Sequence, residues 1–532
     1  MTGTGLRSRR HRDTDRRADL SAAHAVFGCL LREIALPDGD ATATDGEARL
    51  RLRHLDVTLR CAVTRRSPLG AHRYAGPVQR QVGDEQWEDL DTARLADLVA
   101  AELAARTGQA NEEFLDQVRA SRDAVAHLLA ERPVRDPAPT GDPAVDSYVE
   151  SEQSLVFGHP HHPAPKWRSG DPDTWRCYAP ELRTAFRLHW LAVPDELVAD
   201  AGPFDPLVAA LDPPRPPAGH RVLPVHPWQL TLVPPAPYPV RRLGAAGVPV
   251  RPTASVRTLY SPAADLFVKT SLHVRITNCL RKNARYELGG AVALTALLSR
   301  IPLPAGVALL TEPAYRTVDT PGADEAYGTI LRTGLRPHLR PGETPVLAAA
   351  LAAAPLTPPD PVTWWRAYVG LLVPAVLRCW LAHGVVHEAH LQNVVVVLDR
   401  DHRPVRMLLR DLEGVKLDTD RWTVWPDGVP SQAGYRPQAA RRRVVYCLFV
   451  NHLAGICGAL ADGSTGIEPQ LWREVRAVVA AVAADLGDPP ELGRLLSGEP
   501  LTAKANLLVR WRREADRGAP FVPVPNPFGG PR

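Results

Sequence analysis

The stretch HEAHLQNVVVVLDRDHRPVRMLLRDLEG, residues 387–414, decides the fold of the C-terminal part of the chain. A polar loop precedes an apolar run at 394–398, a DRDHR turn follows, and a second apolar run at 404–410 ends in acidic residues. Two short apolar runs around a polar turn are typical of a β-hairpin. Because the two ends of a hairpin meet, we expect Asn393 and Asp411 to lie close together.

This juxtaposition predicts a magnesium site. Phosphoryl-transfer enzymes hold Mg²⁺ with an Asn and an Asp beside the nucleotide phosphates, and oxygen ligands suit this ion. The alternative is a purely structural polar turn whose side chains cap the backbone.

A second informative stretch is PTASVRTLYSPAADLFVKTSLHVRITNCLRKN, residues 252–283. Alternation predicts that Ser255 and Arg257 share one face of a strand, and that Lys269 and Ser271 do the same. The chain contains five lysines among 63 basic residues. A lysine kept in so arginine-rich a chain suggests a need for a compact ammonium group.

Thr277 and Arg281 are four residues apart, which predicts one face of a starting helix. Cations and hydroxyls from this whole stretch would suit a polyphosphate and a carboxylate. The alternative is a sheet with a solvated basic face.

The third stretch is GHPHHPAPKWRSG, residues 158–170. Its histidines suggest a metal, but no cysteine or carboxylate lies close in sequence to complete a zinc site. We therefore expect a stiff loop that presents His162, Lys166 and Arg168 to an anion. The HEAH spacing at 387–390 is not the HExxH of zinc proteases.

The order of patterns predicts an α+β fold. Helical periodicity marks residues 21–35, 92–106 and 113–131, short strand-like runs with Pro-rich loops begin near 150, and helices dominate again from about 364. The net charge of +4 over 532 residues gives no electrostatic argument for nucleic-acid binding. Seven scattered cysteines without a CxxC pair are typical of reduced thiols in a cytoplasmic protein.

Together, six motifs resemble the synthetases that make siderophores without a nonribosomal peptide assembly line, the aerobactin-synthetase-like IucA/IucC family. The motifs run in the family's order through roughly residues 150–528, and they are GHPHHPAPKWRSG, LPVHPWQL, PTASVRTL, FVKTSLHVRITNCLRKN, HEAHLQNVVVVL with LLRDLEG, and PLTAKANLLVRW…VPNPF.

The resemblance implies a cupped-hand architecture. We expect a disordered basic tail at 1–20, an N-terminal thumb at 21–145, a β-rich fingers domain at 146–335 that binds ATP phosphates, and a mostly helical palm at 336–532 that binds Mg²⁺, ATP and substrate.

It also implies an AMP-forming acid–amine or acid–alcohol ligase for iron acquisition. Such an enzyme adenylates a carboxylate of citrate or a related acid, releases pyrophosphate, and joins the acyl group to an amine or hydroxyl. ATP and Mg²⁺ would be required. We expect a cytoplasmic homodimer without a nucleic-acid or membrane partner.

The resemblance assigns roles to individual residues. Those expected to bind ATP are His162, Ser255, Arg257, Lys269, Glu388 and Gln392. Those expected to bind the substrates are Thr277, Arg281, His390 and Lys504, of which Thr277, Arg281 and His390 would also be catalytic. Those expected to hold the metal are Asn393, Asp411 and Glu413. Whether His390 is a general base or a carboxylate ligand stays open.

Two other functions are compatible with parts of the sequence. A small-molecule phosphotransferase would use the same Asn/Asp pair to transfer a γ-phosphate and form ADP, although no Asp occupies the catalytic-base position in the HEAHLQN loop. A non-enzymatic metal-binding protein would use the histidines of 158–170.

Overall fold

The computed structural model describes residues 3–235, 238–277, 279–514 and 518–529 of the 532-residue chain. Helices and sheets mix along the chain as predicted. The N-terminal region combines helices with an antiparallel sheet. A strand-rich middle region follows. The C-terminal region is mainly helical and contains the expected hairpin.

The N-terminal region packs helices against a five-stranded antiparallel meander. The helices are α1 (Gly3–Leu30), α2 (Leu36–Asp38), α3 (Thr92–Thr107) and α4 (Glu112–Glu131), and a π-helical stretch, Leu31–Ala35, joins the first two. The strands are β1 (Ala41–Ala43), β2 (Glu47–Leu52), β3 (Val57–Arg65), β4 (Arg73–Val82) and β5 (Glu88–Leu90). The side chains of Asp91 and Asn111 cap α3 and α4 by accepting backbone hydrogen bonds, as such residues commonly do.

The prediction of a disordered tail at 1–20 is wrong over the part of that segment whose side chains are described. The chain is helical from Gly3, and Thr14 and Ala18 are buried. Ala18 packs beside Val125 of α4 in a small apolar cluster. The charged residues of 12–20 occupy the other faces of an amphipathic helix, which a composition-based reading takes for a solvated tail.

The middle region contains two larger antiparallel sheets and a separate two-stranded one. The first has the order β10-β11-β12-β17-β16-β7 and the second has the order β8-β6-β9. The strands are β6 (His189–Pro194), β7 (Val198–Ala201), β8 (His220–Val225), β9 (Arg241–Ala245), β10 (Arg251–Pro252), β11 (Thr258–Ser261), β12 (Leu266–Thr270), β13 (Leu272–Ile276), β14 (Cys279–Arg281), β15 (Val307–Leu309), β16 (Ala314–Val318) and β17 (Thr329–Thr333). The helices are α5 (Pro143–Gln153), α6 (Pro172–Arg176), α7 (Phe204–Ala209), α8 (Gln229–Leu232), α9 (Arg285–Leu298) and α10 (Ala323–Ala326).

The C-terminal region surrounds the long helix α12 with the largest apolar core. Its helices are α11 (Ala348–Ala352), α12 (Pro361–His383), α13 (Pro437–Val444), α14 (Ala454–Gly463), α15 (Glu468–Asp485), α16 (Pro490–Leu496) and α17 (Asn506–Arg512), with a π-helical stretch, Val445–Leu453, between α13 and α14. Its strands are β18 (Thr344–Leu347), β19 (Val385–Val386), β20 (Val394–Leu398), β21 (Pro404–Leu409), β22 (Lys416–Asp418), β23 (Gly434–Tyr435), β24 (Leu501–Lys504) and β25 (Phe521–Val524).

The regions interlock instead of meeting at clean boundaries. Strand β15 pairs in parallel with β21, so the middle region completes the four-stranded sheet that contains the predicted hairpin. Helix α5 packs against the hairpin, on the face opposite the large C-terminal core. Leu507 and Trp511 of α17 complete the N-terminal core. The expected division at 145 and 335 stays a prediction.

Three helical segments are long and apolar enough to cross a membrane by length and composition: Arg12–Asp38, Pro361–His383 and Pro437–Gly463. Between 61% and 89% of the most apolar window in each lies buried inside the protein. A helix that is apolar on most faces belongs in a core or in a bilayer, and these three segments contribute to the protein core.

Candidate active site

The two ends of the hairpin β20–β21 bring Asn393 and Asp411 together, as the sequence predicts. Val394 pairs with Leu409, and the Arg410 amide donates to the Asn393 carbonyl at 3.1 Å. Asp411 follows at once in the left-handed region, with φ of 72°. This conformation is uncommon for a residue with a side chain, and such residues cluster at functional sites.

Lys269 reaches this end of the hairpin from the middle region. It lies in β12, its side chain is 2% exposed, and its ammonium contacts both Asp411 and Glu413, the latter at 2.7 Å. Arg257 donates to the same Glu413 oxygen at 3.0 Å. Two cations and two carboxylates therefore meet where the middle and C-terminal regions join.

A second buried pair supports this group, and the sequence interpretation missed it. Arg332 of β17 donates to Glu312 at 3.0 Å and to Asp411 at 2.6 Å. Glu312 in turn accepts from the backbone amide of Glu413 at 3.1 Å. The detectable signal was Arg332 itself, a charged residue inside the apolar strand TILRT.

The electrostatics favour ionised carboxylates. Burial alone would raise the pKa of Asp411, but Lys269 and Arg332 outweigh it and hold that pKa well below its usual range. Burial likewise opposes Lys269 and Arg257 at Glu413, whose pKa is also lowered. Both groups are therefore anionic at neutral pH and suitable for a hard cation.

The donor set fits Mg²⁺. An amide and two carboxylates supply oxygen atoms, and the Glu413 Oε2 atom is buried without a hydrogen-bond partner in the described part of the chain. A buried unpaired carboxylate oxygen is uncommon and is consistent with a missing ion or water. Within the same described ranges, no cluster of three or more His, Cys, Asp and Glu residues is arranged to hold a metal.

Ser255 and Arg257 do not share a strand, contrary to the prediction. They lie in the turn between β10 and β11, where Val256 adopts φ of 66°. A positive φ is strained for a β-branched residue. The turn directs Arg257 to Glu413 and to the Lys282 carbonyl, while the Ser255 hydroxyl accepts from the Thr258 amide at 3.2 Å.

Thr277 and Arg281 do not start a helix either. They belong to a tight β13–β14 hairpin, in which Thr277 adopts φ of 56° and Arg281 pairs with Leu272. The hairpin still brings the two side chains together, at 3.5 Å between the guanidinium and the hydroxyl. The residues predicted to act together therefore do meet, but through a different element.

Two of the three residues that we expected the 158–170 loop to present to an anion do not face a ligand. His162 is buried, and Lys166 and Arg168 both form ion pairs with Glu181 at 2.5 Å. All three of these charged side chains are nearly inaccessible. Lys166 and Arg168 thus tie the loop to the protein interior and do not face a ligand.

His390 lies in the polar HEAH loop, where Glu388, Asp411 and Arg443 are among the charged groups that act on it. Burial lowers the pKa of His390. The ring Nδ1 atom accepts from the Gln392 amide at 3.3 Å, which leaves the proton of the neutral ring on Nε2. Glu388 pairs with Arg443 of α13 at 3.3 Å.

The charged groups around His159 include several of the predicted site residues. Burial chiefly, and then the charges of His162, Arg32, His390 and Lys504, lower the pKa of His159 to about 3. The same environment therefore contains residues from the N-terminal helix, the 158–170 loop, the HEAH loop and β24. The sequence interpretation did not include His159 or Arg32.

Comparison with known protein families matches two models along the chain. The IucA / IucC family model matches residues 147–353, and the model described as ferric iron reductase FhuF-like transporter matches residues 362–519. The first range contains the turn that carries Arg257 and the strand that carries Lys269. The second range contains the hairpin with Asn393 and Asp411.

Several curated relatives resemble most of the chain. An L-2,3-diaminopropanoate–citrate ligase of Staphylococcus aureus is 29% identical over 73% of this chain and 76% of its own length. The rhizobactin siderophore biosynthesis protein RhbC of Rhizobium meliloti is 28% identical over 87% and 89%. A spermidine–citrate ligase of Bacillus anthracis is 26% identical over 90% of both chains.

Solved structures share the fold. ATP-bound aerobactin synthetase IucA of Klebsiella pneumoniae superposes with a TM-score of 0.81 at 21% identity, covering 96% of this chain and 99% of that one. The petrobactin biosynthesis protein AsbB of Bacillus anthracis gives 0.79 at 20% identity, covering 99% and 98%. Residues 147–353 therefore match the IucA / IucC family, and the chain resembles curated siderophore-biosynthesis ligases over most of its length.

Proposed function

We propose that this protein is an ATP-dependent ligase of siderophore biosynthesis that works in the cytoplasm. It activates a carboxylate of citrate or a related acid as an acyl-adenylate and joins it to an amine or hydroxyl. The observation that carries the proposal is the convergence of Lys269, Arg257, Asp411 and Glu413 beside Asn393. The citrate-ligase names of several relatives supply the substrate class.

The first step needs two anions to react with each other. A substrate carboxylate oxygen attacks the α-phosphorus of ATP, a new P–O bond forms, and the bond to pyrophosphate breaks. Lys269 and Arg257 offset the phosphate charge, and Arg281 with Thr277 holds the carboxylates of the acid. Fixed cations stabilise the charge that grows in the transition state.

Asn393, Asp411 and Glu413 are the residues that would hold Mg²⁺. When bound, the ion neutralises phosphate charge and orients the leaving pyrophosphate. The Lys269 ammonium contacts both carboxylates, so it lies where phosphates held by the same ion would reach it.

In the second step the nucleophile attacks the acyl carbon, the bond to AMP breaks, and the proton of the amine or hydroxyl passes to solvent. The neutral His390 has its Nδ1 atom occupied by the Gln392 amide and carries its proton on Nε2. In that state it donates a hydrogen bond, so we assign it to a substrate carboxylate and not to proton removal. Lys504, like His390, is among the charged groups around His159 and is assigned to the acceptor side.

The phosphotransferase alternative is not favoured. It would need a catalytic base in the HEAHLQN loop, where Glu388 pairs with Arg443 and His390 is held as a donor. The experiment that tests the proposal measures pyrophosphate release over a panel of acids that includes citrate, followed by mass analysis of products formed with candidate amines.

A further inference from the structure

A nine-residue π-helical stretch, Val445–Leu453, interrupts the helix that continues as α14. π-helical turns are rare and occur mostly at functional sites. Two consecutive residues of this stretch, Asn451 and His452, contact the HEAH loop, and neither has an assigned role. Their contacts fall on the two peptide groups that flank His390.

His452 holds the peptide before His390. It is completely buried, its Nδ1 atom lies 3.1 Å from the Ala389 carbonyl, and its Nε2 atom lies 2.5 Å from the Tyr368 hydroxyl. Burial lowers the pKa of His452 to about 3, so the ring is neutral. Because a carbonyl only accepts, Nδ1 carries the proton and Nε2 accepts from Tyr368 of α12.

Asn451 holds the peptide after His390. Its Oδ1 atom accepts from the Leu391 amide at 3.1 Å. Its amide nitrogen lies 2.9 Å from the His159 ring in the 158–170 loop. One residue therefore connects the backbone beside His390 to the loop that carries His162.

We infer that Asn451 and His452 are positioning residues that fix the backbone on both sides of His390 and so aim its Nε2 atom at the substrate carboxylate. The aim requires a fixed backbone, because the Gln392 amide that donates to the His390 ring belongs to the same loop. Functional groups need such support to stay within a fraction of an ångström of their productive geometry. The role at His390 rests on the proposed function, whereas the restraint of the backbone does not.

Two substitutions of His452 separate positioning from bulk packing. An Asn side chain ends near the Nδ1 position of His, and a Gln side chain ends near Nε2. His452→Asn therefore keeps a donor for the Ala389 carbonyl, and His452→Gln loses it. His452→Asn removes the acceptor for Tyr368, whereas the Oε1 atom of Gln can still accept from it. Tyr368→Phe is therefore the matched control that breaks only the outer hydrogen bond.

Amide hydrogen exchange of the peptide that spans residues 387–393 tests the restraint without any substrate. We expect faster exchange in His452→Gln and Asn451→Ala than in His452→Asn and Tyr368→Phe. Equal exchange in all four variants, or exchange that follows only their melting temperatures, would overturn the inference.

Kinetics test the link to His390. In acid-dependent pyrophosphate release, His452→Gln should raise the KM for the acid by on the order of tenfold or more, with a smaller change in the KM for ATP. His452→Asn should stay within about threefold of the parent enzyme. Equal acid KM values in the two variants would refute the positioning role, whereas a parent enzyme without acid-dependent pyrophosphate release would refute the proposed function instead.

Discussion

The ammonium of Lys269 contacts the carboxylate of Asp411 across 142 residues of chain. The lysine comes from a central strand of the middle region, and the aspartate ends the hairpin of the C-terminal region. This contact places the phosphate-binding cations and the metal-binding oxygens in one group. Lys269, together with Arg332, also holds the pKa of Asp411 well below its usual range, against the opposing effect of burial.

Asp411→Asn should leave a folded protein whose rate is lower by on the order of 10²-fold or more, because a key electrostatic group is lost. The amide keeps the size of the side chain but removes the charge that Lys269, Arg332 and Mg²⁺ share. Asp401→Asn, in the exposed hairpin turn, is the control and should retain the parent rate. A near-parent rate in Asp411→Asn would remove the metal assignment.

Lys269→Ala should raise the KM for ATP and lower kcat, because phosphate charge grows in the transition state. Lys282→Ala is the control, since that ammonium pairs with Glu325 at the protein surface. Steady-state kinetics with ATP as the varied substrate measure the effect, and melting temperatures show whether the variant is folded. An unchanged ATP KM in folded Lys269→Ala would assign the lysine to structure alone.

Arg281→Lys should raise the KM for the acid much more than the KM for ATP. A guanidinium clamps a carboxylate through two parallel hydrogen bonds, which an ammonium cannot reproduce. A lost charged contact of this kind costs roughly 2–4 kcal/mol. Normal turnover with an unchanged acid KM would mean that another residue binds the carboxylate.

Glu33→Gln should change how stability depends on pH. Burial raises the pKa of Glu33 to about 7, against the opposing effects of Arg32 and of the α17 amides that the carboxylate accepts from. Between the unfolded pKa of about 4.3 and 7, the folded state binds more protons than the unfolded state, so stability falls as pH rises through that window.

The variant cannot titrate at this position and should lose that decline. Its melting temperature should therefore increase relative to the parent by a few degrees between pH 5 and pH 8. Glu112→Gln, at the exposed start of α4, is the matched control. Parallel pH profiles for parent and Glu33→Gln would show that Glu33 is ionised throughout.

The sequence predicts most accurately the helices and the hairpin that local residue patterns determine. Two apolar runs around a polar turn predict the β20–β21 hairpin, whose geometry brings the backbone of Asn393 beside that of Arg410 and Asp411. Helical periodicity likewise predicts α3, α4 and α12. These helical signals are local, because the buried face of a helix repeats at the helical period.

The predictions are wrong where backbone strain, or a partner from elsewhere in the sequence, determines the local structure. Val256 and Thr277 adopt positive φ values that spacing rules do not anticipate, so a predicted strand is a turn and a predicted helix is a β-hairpin. In the sequence Lys166 and Arg168 resemble ligand-binding cations, but in the structure both form ion pairs with Glu181. Buried ion pairs between distant residues, such as Arg332 with Glu312, leave no periodic trace in one sequence.

The products of ATP cleavage test the central claim most directly. Purified protein incubated with ATP, Mg²⁺, citrate and a candidate amine should form AMP and pyrophosphate in equal amounts, only when an acid is present. Omission of the acid should abolish both products, and Asp411→Asn should lower their rate of formation by on the order of 10²-fold or more. Stoichiometric ADP and phosphate instead would contradict the account and identify a phosphotransferase.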